Sequence, residues 1–284
     1  MLTLVTTEFS VNASAATNPP VSRLVPGVGP DMVKLSGVSK VFSNGTVALN
    51  DMSLDIAQGE FVSLLGPSGC GKSTALRIIA GLGEPTSGSI DISVASDAAS
   101  DASEIGFVFQ EPTLMPWGTV FKNVWTPLRL RGVSKRDAHD RVMEALELVG
   151  LQDFANSYPR ELSGGMKMRV SIARALVTRP KLLLMDEPFA ALDEITRFKL
   201  NNDLLHLWET FGWTVVFVTH SVYESVYLSN RIVVMAARPG RVVADLPVDA
   251  AYPREEEFRT SPTYNDACRE VSAALHAAME ASEG

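Results

Sequence analysis

Four short apolar runs stand out from a mixed polar background, at 61–65 (FVSLL), 105–110 (IGFVFQ), 181–186 (KLLLMD) and 213–220 (WTVVFVTH). Runs of about four to eight apolar residues without alternation are typical of strands that are buried on both faces, as in a parallel sheet. Three of these runs end in a polar side chain. Because the carboxyl ends of parallel strands line one crevice, the pattern predicts an α/β protein whose polar strand ends meet there.

Looser alternation of apolar and polar positions precedes and follows these runs. Residues 32–41 and 47–56 flank the turn signal Asn44-Gly45, and 89–92 is a further short strand. These segments predict an antiparallel sheet beside the main one. Residues 231–248 predict a hairpin that turns at Pro239-Gly240.

Helical spacing of apolar residues, closed by glycine or proline, occurs between the predicted strands. It predicts helices over 75–80, over 167–178 and from Asp193 to Gly212. Two further helix starts fit the capping-box pattern, in which a Ser at the N-cap is followed three residues later by an acidic residue. The pairs that fit this pattern are Ser134 with Asp137 and Ser221 with Glu224.

The segment after the first apolar run has the pattern of a phosphate-binding loop, which is Gly, four variable residues, Gly-Lys, then Ser or Thr. Its glycines let backbone N–H groups face an anion at a helix N-terminus, where the helix dipole favours negative charge. The alternative is a Gly- and Ser-rich surface turn. The segment predicts a nucleoside triphosphate site made of Gly66, Pro67, Ser68, Gly69, Cys70, Gly71, Lys72, Ser73 and Thr74. We expect Lys72 to reach the β- and γ-phosphates and the Ser73 hydroxyl to bind Mg²⁺.

Polar residues at the other strand ends are candidates for metal binding and catalysis. Asp186 is placed where phosphate-loop enzymes hold Mg²⁺, and Glu187 is a candidate base for an attacking water; a solvated acidic turn is the alternative. A lone His is more often structural, but His220 ends a strand beside the nucleotide loop. Gln110 is a candidate for contact with the metal or its water, with a loop-capping amide as the alternative.

Two other features have both a binding and an ordinary interpretation. Ser163, Gly164 and Gly165 open a predicted helix and offer a second anion site, or an ordinary N-cap. Phe42 precedes the Asn44-Gly45 turn, where its ring either stacks on adenine or packs as an ordinary aromatic.

Composition narrows the class of protein. The 284 residues are 46% apolar and 20% charged, which is ordinary for a globular protein. The net charge of −8 argues against a nucleic-acid partner held by counterion release. Cys70 lies inside the phosphate loop, where a disulfide with the distant Cys268 would clash with a bound nucleotide, so a reducing cytosol is expected. Neither cysteine has metal-ligand spacing. No apolar run is long enough to span a bilayer, and residues 1–30 are expected to form a flexible tail.

In chain order, these features resemble those of the ATP-binding subunits of ABC transporters, from about Val33 to about Val248. The residues that carry the resemblance are Phe42, the loop 66–74, Gln110, Leu-Ser-Gly-Gly at 162–165, Leu-Met-Asp-Glu-Pro at 184–188, Ala-Leu-Asp at 191–193 and Thr-His at 219–220. Pro116-Trp117 and the segments 162–169 and 236–240 are similar to the nitrate, sulfonate and taurine import group. Met166, Ala190 and Ser221 depart from the commonest family pattern.

The resemblance implies an α/β fold with a RecA-like phosphate-loop NTPase core, an antiparallel β subdomain and a helical insert at about 112–175. It divides the chain into a tail at 1–30, an ATP-binding cassette at 31–250 and a C-terminal helical extension at 251–284, which the spacing of apolar residues predicts to be helical.

The family pattern also implies a role for each candidate residue in a head-to-tail dimer that buries two ATP molecules. Phe42 would stack on adenine and Lys72 would hold phosphates. Each ATP would lie between one copy's phosphate loop and the other copy's Ser163, Gly164 and Gly165, with Asp193 acting across the interface. Ser73, Asp186 and Gln110 would bind Mg²⁺ or its water, Glu187 would be the base, and His220 would contact the γ-phosphate.

The expected partners follow from the same resemblance. A membrane permease would contact the surface from Gln110 to Trp117, and a periplasmic or extracellular solute-binding protein would take part indirectly. The chain would then lie at the cytoplasmic face of the cell membrane, with no nucleic-acid partner. A soluble ABC-type ATPase acting in DNA repair or translation is the main alternative, and a non-hydrolysing ATP sensor is a third.

Overall fold

The computed structural model describes residues 29–93 and 105–280. The predicted tail at 1–30 lies almost wholly outside this range, as do residues 94–104 and the last four residues. Within the described residues the strands are β1 (Asp31–Val41), β2 (Val47–Ala57), β3 (Phe61–Leu65), β4 (Ser87–Ile92), β5 (Ile105–Val108), β6 (Leu182–Asp186), β7 (Thr214–Thr219), β8 (Arg231–Ala236) and β9 (Arg241–Pro247). The α-helices are α1 (Lys72–Ile79), α2 (Val120–Leu130), α3 (His139–Glu147), α4 (Gly164–Leu176), α5 (Glu194–Phe211), α6 (Val222–Leu228) and α7 (Pro262–Glu280).

The main sheet has the strand order β5-β6-β7-β3-β8-β9, in which the first five strands are parallel and β9 returns antiparallel to β8. Every residue of β3, β6 and β7 is buried, as their unbroken apolar sequences predict. Leu65 pairs with Thr219, and Asp186 pairs with Val218. This register brings the carboxyl ends of the three strands to the same edge.

The second sheet is antiparallel, with the order β2-β1-β4, and confirms the expectation from the alternating segments. Its apolar face shares a buried cluster with α1 and with one face of the main sheet, so α1 lies between the two sheets. A larger cluster on the opposite face joins the main sheet to α2 through α7. None of the helices in the described part of the chain is long and apolar enough to cross a bilayer.

Two helix starts and one strand end differ from the boundaries that the sequence predicted. Helix α1 begins at Lys72 rather than at residue 75, because its N-cap is Gly71 of the loop itself. Ser134 and Asp137 do bond to each other, but they close a turn, and α3 begins only at His139. The strand predicted at 105–110 ends at Val108, where its pairing with β6 ends.

The C-terminal extension forms helix α7, as its apolar spacing predicted, and packs against the body of the chain. Helix α7 buries Tyr264, Cys268, Val271 and Ala278 in the larger cluster. The segment before it is fixed by Arg254, which is 4% exposed. Its guanidinium donates to the carbonyl oxygens of Val226, Tyr227, Ser229 and Ala250 at 2.8–3.1 Å, and thereby binds the end of α6.

Replacing Arg254 with Met should destabilise the whole chain, because the buried carbonyl groups of Val226, Tyr227 and Ser229 would lose the charged donor that the structure gives them. We expect a loss of about 2–4 kcal/mol in the free energy of unfolding, measured by urea denaturation. Arg269→Met is the matched control, since this arginine is on α7 with its side chain 81% exposed. Equal stability of the two variants would contradict the structural role of Arg254.

Candidate nucleotide site

The loop between β3 and α1 is shaped by glycines that no other residue could replace without movement. A Cβ atom on Gly66 would lie 2.5 Å from the Met235 carbonyl oxygen and 2.8 Å from the Cys70 sulfur. Gly71 has φ of 90°, in the left-handed region, and a Cβ there would lie 2.5 Å from the Ala48 carbonyl oxygen. The first N–H groups of α1 have no carbonyl partner within the helix, so they are available to an anion in the loop.

Lys72 lies inside this loop with only 4% of its surface exposed. Its ammonium group donates to the carbonyl oxygens of Gly66 at 2.7 Å and Pro67 at 3.1 Å. It also lies 3.9 Å from the Glu187 carboxylate. Phosphate oxygens make stronger charge-assisted bonds than neutral carbonyl groups, so the ammonium is well placed to exchange these contacts for a polyphosphate.

Ser73 and Asp186 form the second contact between the loop and the strand ends. The Ser73 hydroxyl donates to the Asp186 carboxylate at 2.7 Å. Burial raises the pKa of Asp186, while the Ser73 hydrogen bond and the charge of Arg77 oppose that rise. The two oxygens are the hard ligands that Mg²⁺ prefers.

Glu187 connects the loop to the end of β7. One carboxylate oxygen faces Lys72, and the other lies 3.4 Å from Nδ1 of His220. The backbone of Glu187 is left-handed, with φ of 45°, and its N–H donates to the Val218 carbonyl oxygen at 3.0 Å. Such a conformation is uncommon outside glycine and clusters at functional sites. The turn holds the carboxylate over the edge of the sheet.

Two of the predicted contact residues, Phe42 and Gln110, are exposed. Phe42 precedes the β1–β2 turn and is 45% exposed, with the Lys40 ammonium 5.7 Å from its ring centroid. An exposed ring is compatible with adenine stacking, which stays a prediction. Gln110 is exposed and lies two residues beyond the end of β5, rather than on the strand as the sequence suggested.

Ser163, Gly164 and Gly165 lie at the start of α4, as predicted, and the Ser163 hydroxyl accepts from the Met166 N–H at 3.3 Å. A Cβ atom on Gly165 would lie 2.6 Å from the Thr196 methyl group, so this glycine lets α4 approach the first turn of α5. Asp193 is the N-cap of α5 and accepts from the Thr196 N–H at 2.9 Å. The N-termini of these two helices are therefore packed together.

Sequence reasoning missed one set of polar residues beside His220. Glu224 was predicted to bond back to Ser221 in a capping box, and only half of that box forms. The Glu224 carboxylate instead accepts from the Thr219 hydroxyl at 2.6 Å and faces Arg197 of α5. The signal in the sequence was an acidic residue inside the short helix α6, but the capping-box pattern already explained it.

Strand order, the glycine loop and the buried Asp at the end of β6 define the chain as a phosphate-loop NTPase of mixed α/β fold. The family model described as "ABC transporter" matches residues 49–190. The chain belongs to the ABC transporter family and has the fold of its ATP-binding cassettes.

Known proteins of this family are similar to the chain over most of its length. A putative ATP-binding protein of Brucella abortus is 50% identical over 220 residues, which cover 78% of this chain and 84% of that protein. The aliphatic sulfonates import ATP-binding protein SsuB of Bacillus cereus is 43% identical over 242 residues, covering 84% and 94% respectively. The ATP-binding cassette MJ0796, solved as a dimer in a post-hydrolysis state bound to ADP and Pi, is 38% identical with a TM-score of 0.68, covering 77% and 100%.

Gly66→Ala tests the geometry of the loop. Its Cβ would meet backbone at Met235, which cannot move cheaply, so the loop must shift and we expect ATP affinity to fall about tenfold or more, ~1.4 kcal/mol. Titration calorimetry would measure it. Gly83→Ala is the control, because a Cβ there meets nothing within 4 Å. Unchanged affinity in the Gly66 variant would refute the cradle geometry.

Proposed function

We propose that this chain is the ATP-hydrolysing subunit of an importer for a small solute that contains sulfur or nitrogen. The observation that supports this most is the position of Glu187, between the loop ammonium of Lys72 and the imidazole of His220. The three groups follow three different strands, β3, β6 and β7, and lie together beside the phosphate loop. They have the chemistry that phosphoryl transfer to water requires.

Nucleotide binding would rest on the loop and on one aromatic ring. Backbone N–H groups of the loop and the Lys72 ammonium would hold the phosphates, with Gly66 and Gly71 allowing close approach. Phe42 would stack on the adenine, since its ring is exposed just beyond the end of β1, which pairs with the start of β2 beside Gly71. Lys72 is held rigidly by carbonyl oxygens, so little side-chain entropy would be lost when phosphate replaces them.

Mg²⁺ fits this site as an ion that arrives with the nucleotide. Among the residues that the structure describes, no cluster of three or more His, Cys, Asp and Glu side chains could hold a metal by themselves. Ser73 and Asp186 supply two oxygens, and Gln110 would reach the ion or its water. Mg²⁺ commonly binds one or two protein oxygens together with phosphates and waters, and its charge would neutralise that of the phosphates.

In the proposed reaction Glu187 takes a proton from a water that attacks the γ-phosphorus, while the bond from the γ-phosphorus to the oxygen bridging to the β-phosphate breaks. Lys72 would stabilise the charge that develops on the phosphates. His220 would position Glu187 through its Nδ1 contact and would present the remaining imidazole nitrogen towards the γ-phosphate. The left-handed turn at Glu187 would keep its carboxylate aimed at the water.

A complete site would need two copies of the chain. Ser163 and Gly164 are exposed at the N-terminus of α4, and a Cβ atom on Gly164 would lie 3.6 Å from Leu192, in the turn before α5. In the proposed dimer these residues would bind the nucleotide on the partner's phosphate loop, and Asp193 would lie at the interface. The dimeric form of MJ0796, which the chain resembles, supports this arrangement.

Coupling to transport would use the surface from Gln110 to Trp117, where Trp117 is 77% exposed. We propose that a membrane permease docks there, which places the chain peripherally at the cytoplasmic face of the membrane, with a separate solute-binding protein delivering the solute. The similarity to SsuB proteins of Bacillus cereus and Pseudomonas syringae favours an aliphatic sulfonate over nitrate as the solute.

Glu187→Gln should keep ATP binding and slow hydrolysis by about 10²-fold or more, because the amide cannot accept the proton of the attacking water. Phosphate release would measure the rate, and light scattering should show an ATP-dependent dimer that persists. Glu270→Gln, an exposed carboxylate on α7, is the control. Undiminished turnover of the Glu187 variant would remove this residue from its proposed role.

A further inference from the structure

We infer that Thr219, Glu224 and Arg197 form a positioning chain that fixes His220 relative to the turn before α5. This inference rests on the proposed function and names positioning residues that the reaction scheme above does not use. His220 itself has a side chain that is 55% exposed, so packing of the imidazole does little to hold it. Its position must come from the backbone on either side.

The Thr219 hydroxyl supplies the first part of that restraint. It accepts from the Ser221 N–H at 3.0 Å, so it closes the backbone around His220. The same hydroxyl donates to the Glu224 carboxylate at 2.6 Å. Thr219 is 2% exposed and Glu224 is 8% exposed, so both bonds are shielded from water. A shielded hydrogen bond to a charged group is stronger than one at the surface.

Arg197 extends the restraint from α6 to α5. Its guanidinium Nε lies 3.6 Å from the other Glu224 oxygen, and its Nη2 donates to the Leu192 carbonyl oxygen at 3.0 Å. Leu192 immediately precedes Asp193, the N-cap of α5 that we place at the dimer interface. One continuous polar path therefore runs from the residue before Asp193 to the residues that flank His220.

The chemistry of Glu224 and Arg197 explains why this pair would set the position of His220 rather than only add stability. A buried carboxylate needs a charged or hydrogen-bonding partner, and burial raises the pKa of Glu224 against the opposing effects of Thr219 and Arg197. A displacement of the Leu192 turn would pull on Arg197 and then on the His220 backbone. Closure of a dimer at Asp193 would thus bring His220 into line with Glu187.

The test compares Thr219→Val, Thr219→Ser and the wild-type chain in steady-state ATP hydrolysis. Valine keeps the shape and removes the hydroxyl, and we expect kcat to fall about tenfold while KM for ATP changes less than about twofold. Serine restores the hydroxyl and should restore kcat. A merely structural role predicts that both variants lose stability but retain kcat, and that result would overturn the inference.

A double-mutant cycle tests whether the residues act as one unit. Arg197→Met and Glu224→Gln should each lower kcat about tenfold, and the double variant should be no slower than the slower single variant. Asp203→Asn is the matched control, because it breaks a partly buried ion pair of α5 with Arg169 at 2.6 Å. This control should leave kcat unchanged. Full additivity of the Arg197→Met and Glu224→Gln effects on kcat would contradict the proposed positioning role.

Different results would overturn the proposed function and the positioning role of Thr219. A wild-type chain that binds ATP but shows no hydrolysis, alone or with its permease, would overturn the proposed function. A wild-type chain that hydrolyses ATP, together with a folded Thr219→Val variant of equal kcat, would overturn only the positioning chain.

Discussion

The parallel alignment of β3, β6 and β7 is the constraint on which the candidate site depends. Each strand is buried along its whole length, so its polar side chains can emerge only where the strand ends. Pairing of Leu65 with Thr219 and of Asp186 with Val218 sets those ends at one level. A slip of one residue in either pair would turn alternate side chains to the opposite face and separate the groups.

Electrostatics at this edge explains why the groups stay together. Lys72 is buried, and its ammonium is compensated by loop carbonyl oxygens and by the Glu187 carboxylate. Asp186 is compensated by the Ser73 hydroxyl. Each buried charge thus has a partner from a different element, which ties the phosphate loop to β6 and, through His220, to β7. Separating these charges would be costly, which keeps the phosphate loop beside the ends of the strands.

Much of this arrangement could be predicted from the sequence, because it depends on local patterns. The unbroken apolar runs predicted the buried strands, and the loop pattern predicted a phosphate loop that contains Lys72 between a strand and a helix, although the helix begins three residues earlier than its apolar spacing indicated. What could not be predicted depends on contacts between distant segments. No local pattern indicates that Arg254 binds the end of α6, or that Glu224 bonds to Thr219 instead of completing its capping box. Gln110 lies beyond β5, and not on it as predicted, because the pairing with β6 stops at Val108.

The first turn of α5 contacts both α4 and the residues beside His220. On one side Thr196 packs against Gly165 of α4, and on the other Arg197 faces Glu224 beside His220. In a dimer whose sites are each built from two copies, Gly165 would serve one nucleotide and His220 the other. A single turn of helix would then connect the two sites through contacts only a few ångströms long.

Complementation between two inactive variants tests the central claim, that each nucleotide site is shared between two copies. Lys72→Ala removes the phosphate-loop ammonium, and Ser163→Arg blocks the start of α4. Each variant alone should be inactive in phosphate release. A mixture forms heterodimers with one site that carries both intact halves, and we predict recovered ATP hydrolysis. A mixture as inactive as its two components, at concentrations where the wild-type chain dimerises, would contradict the shared site.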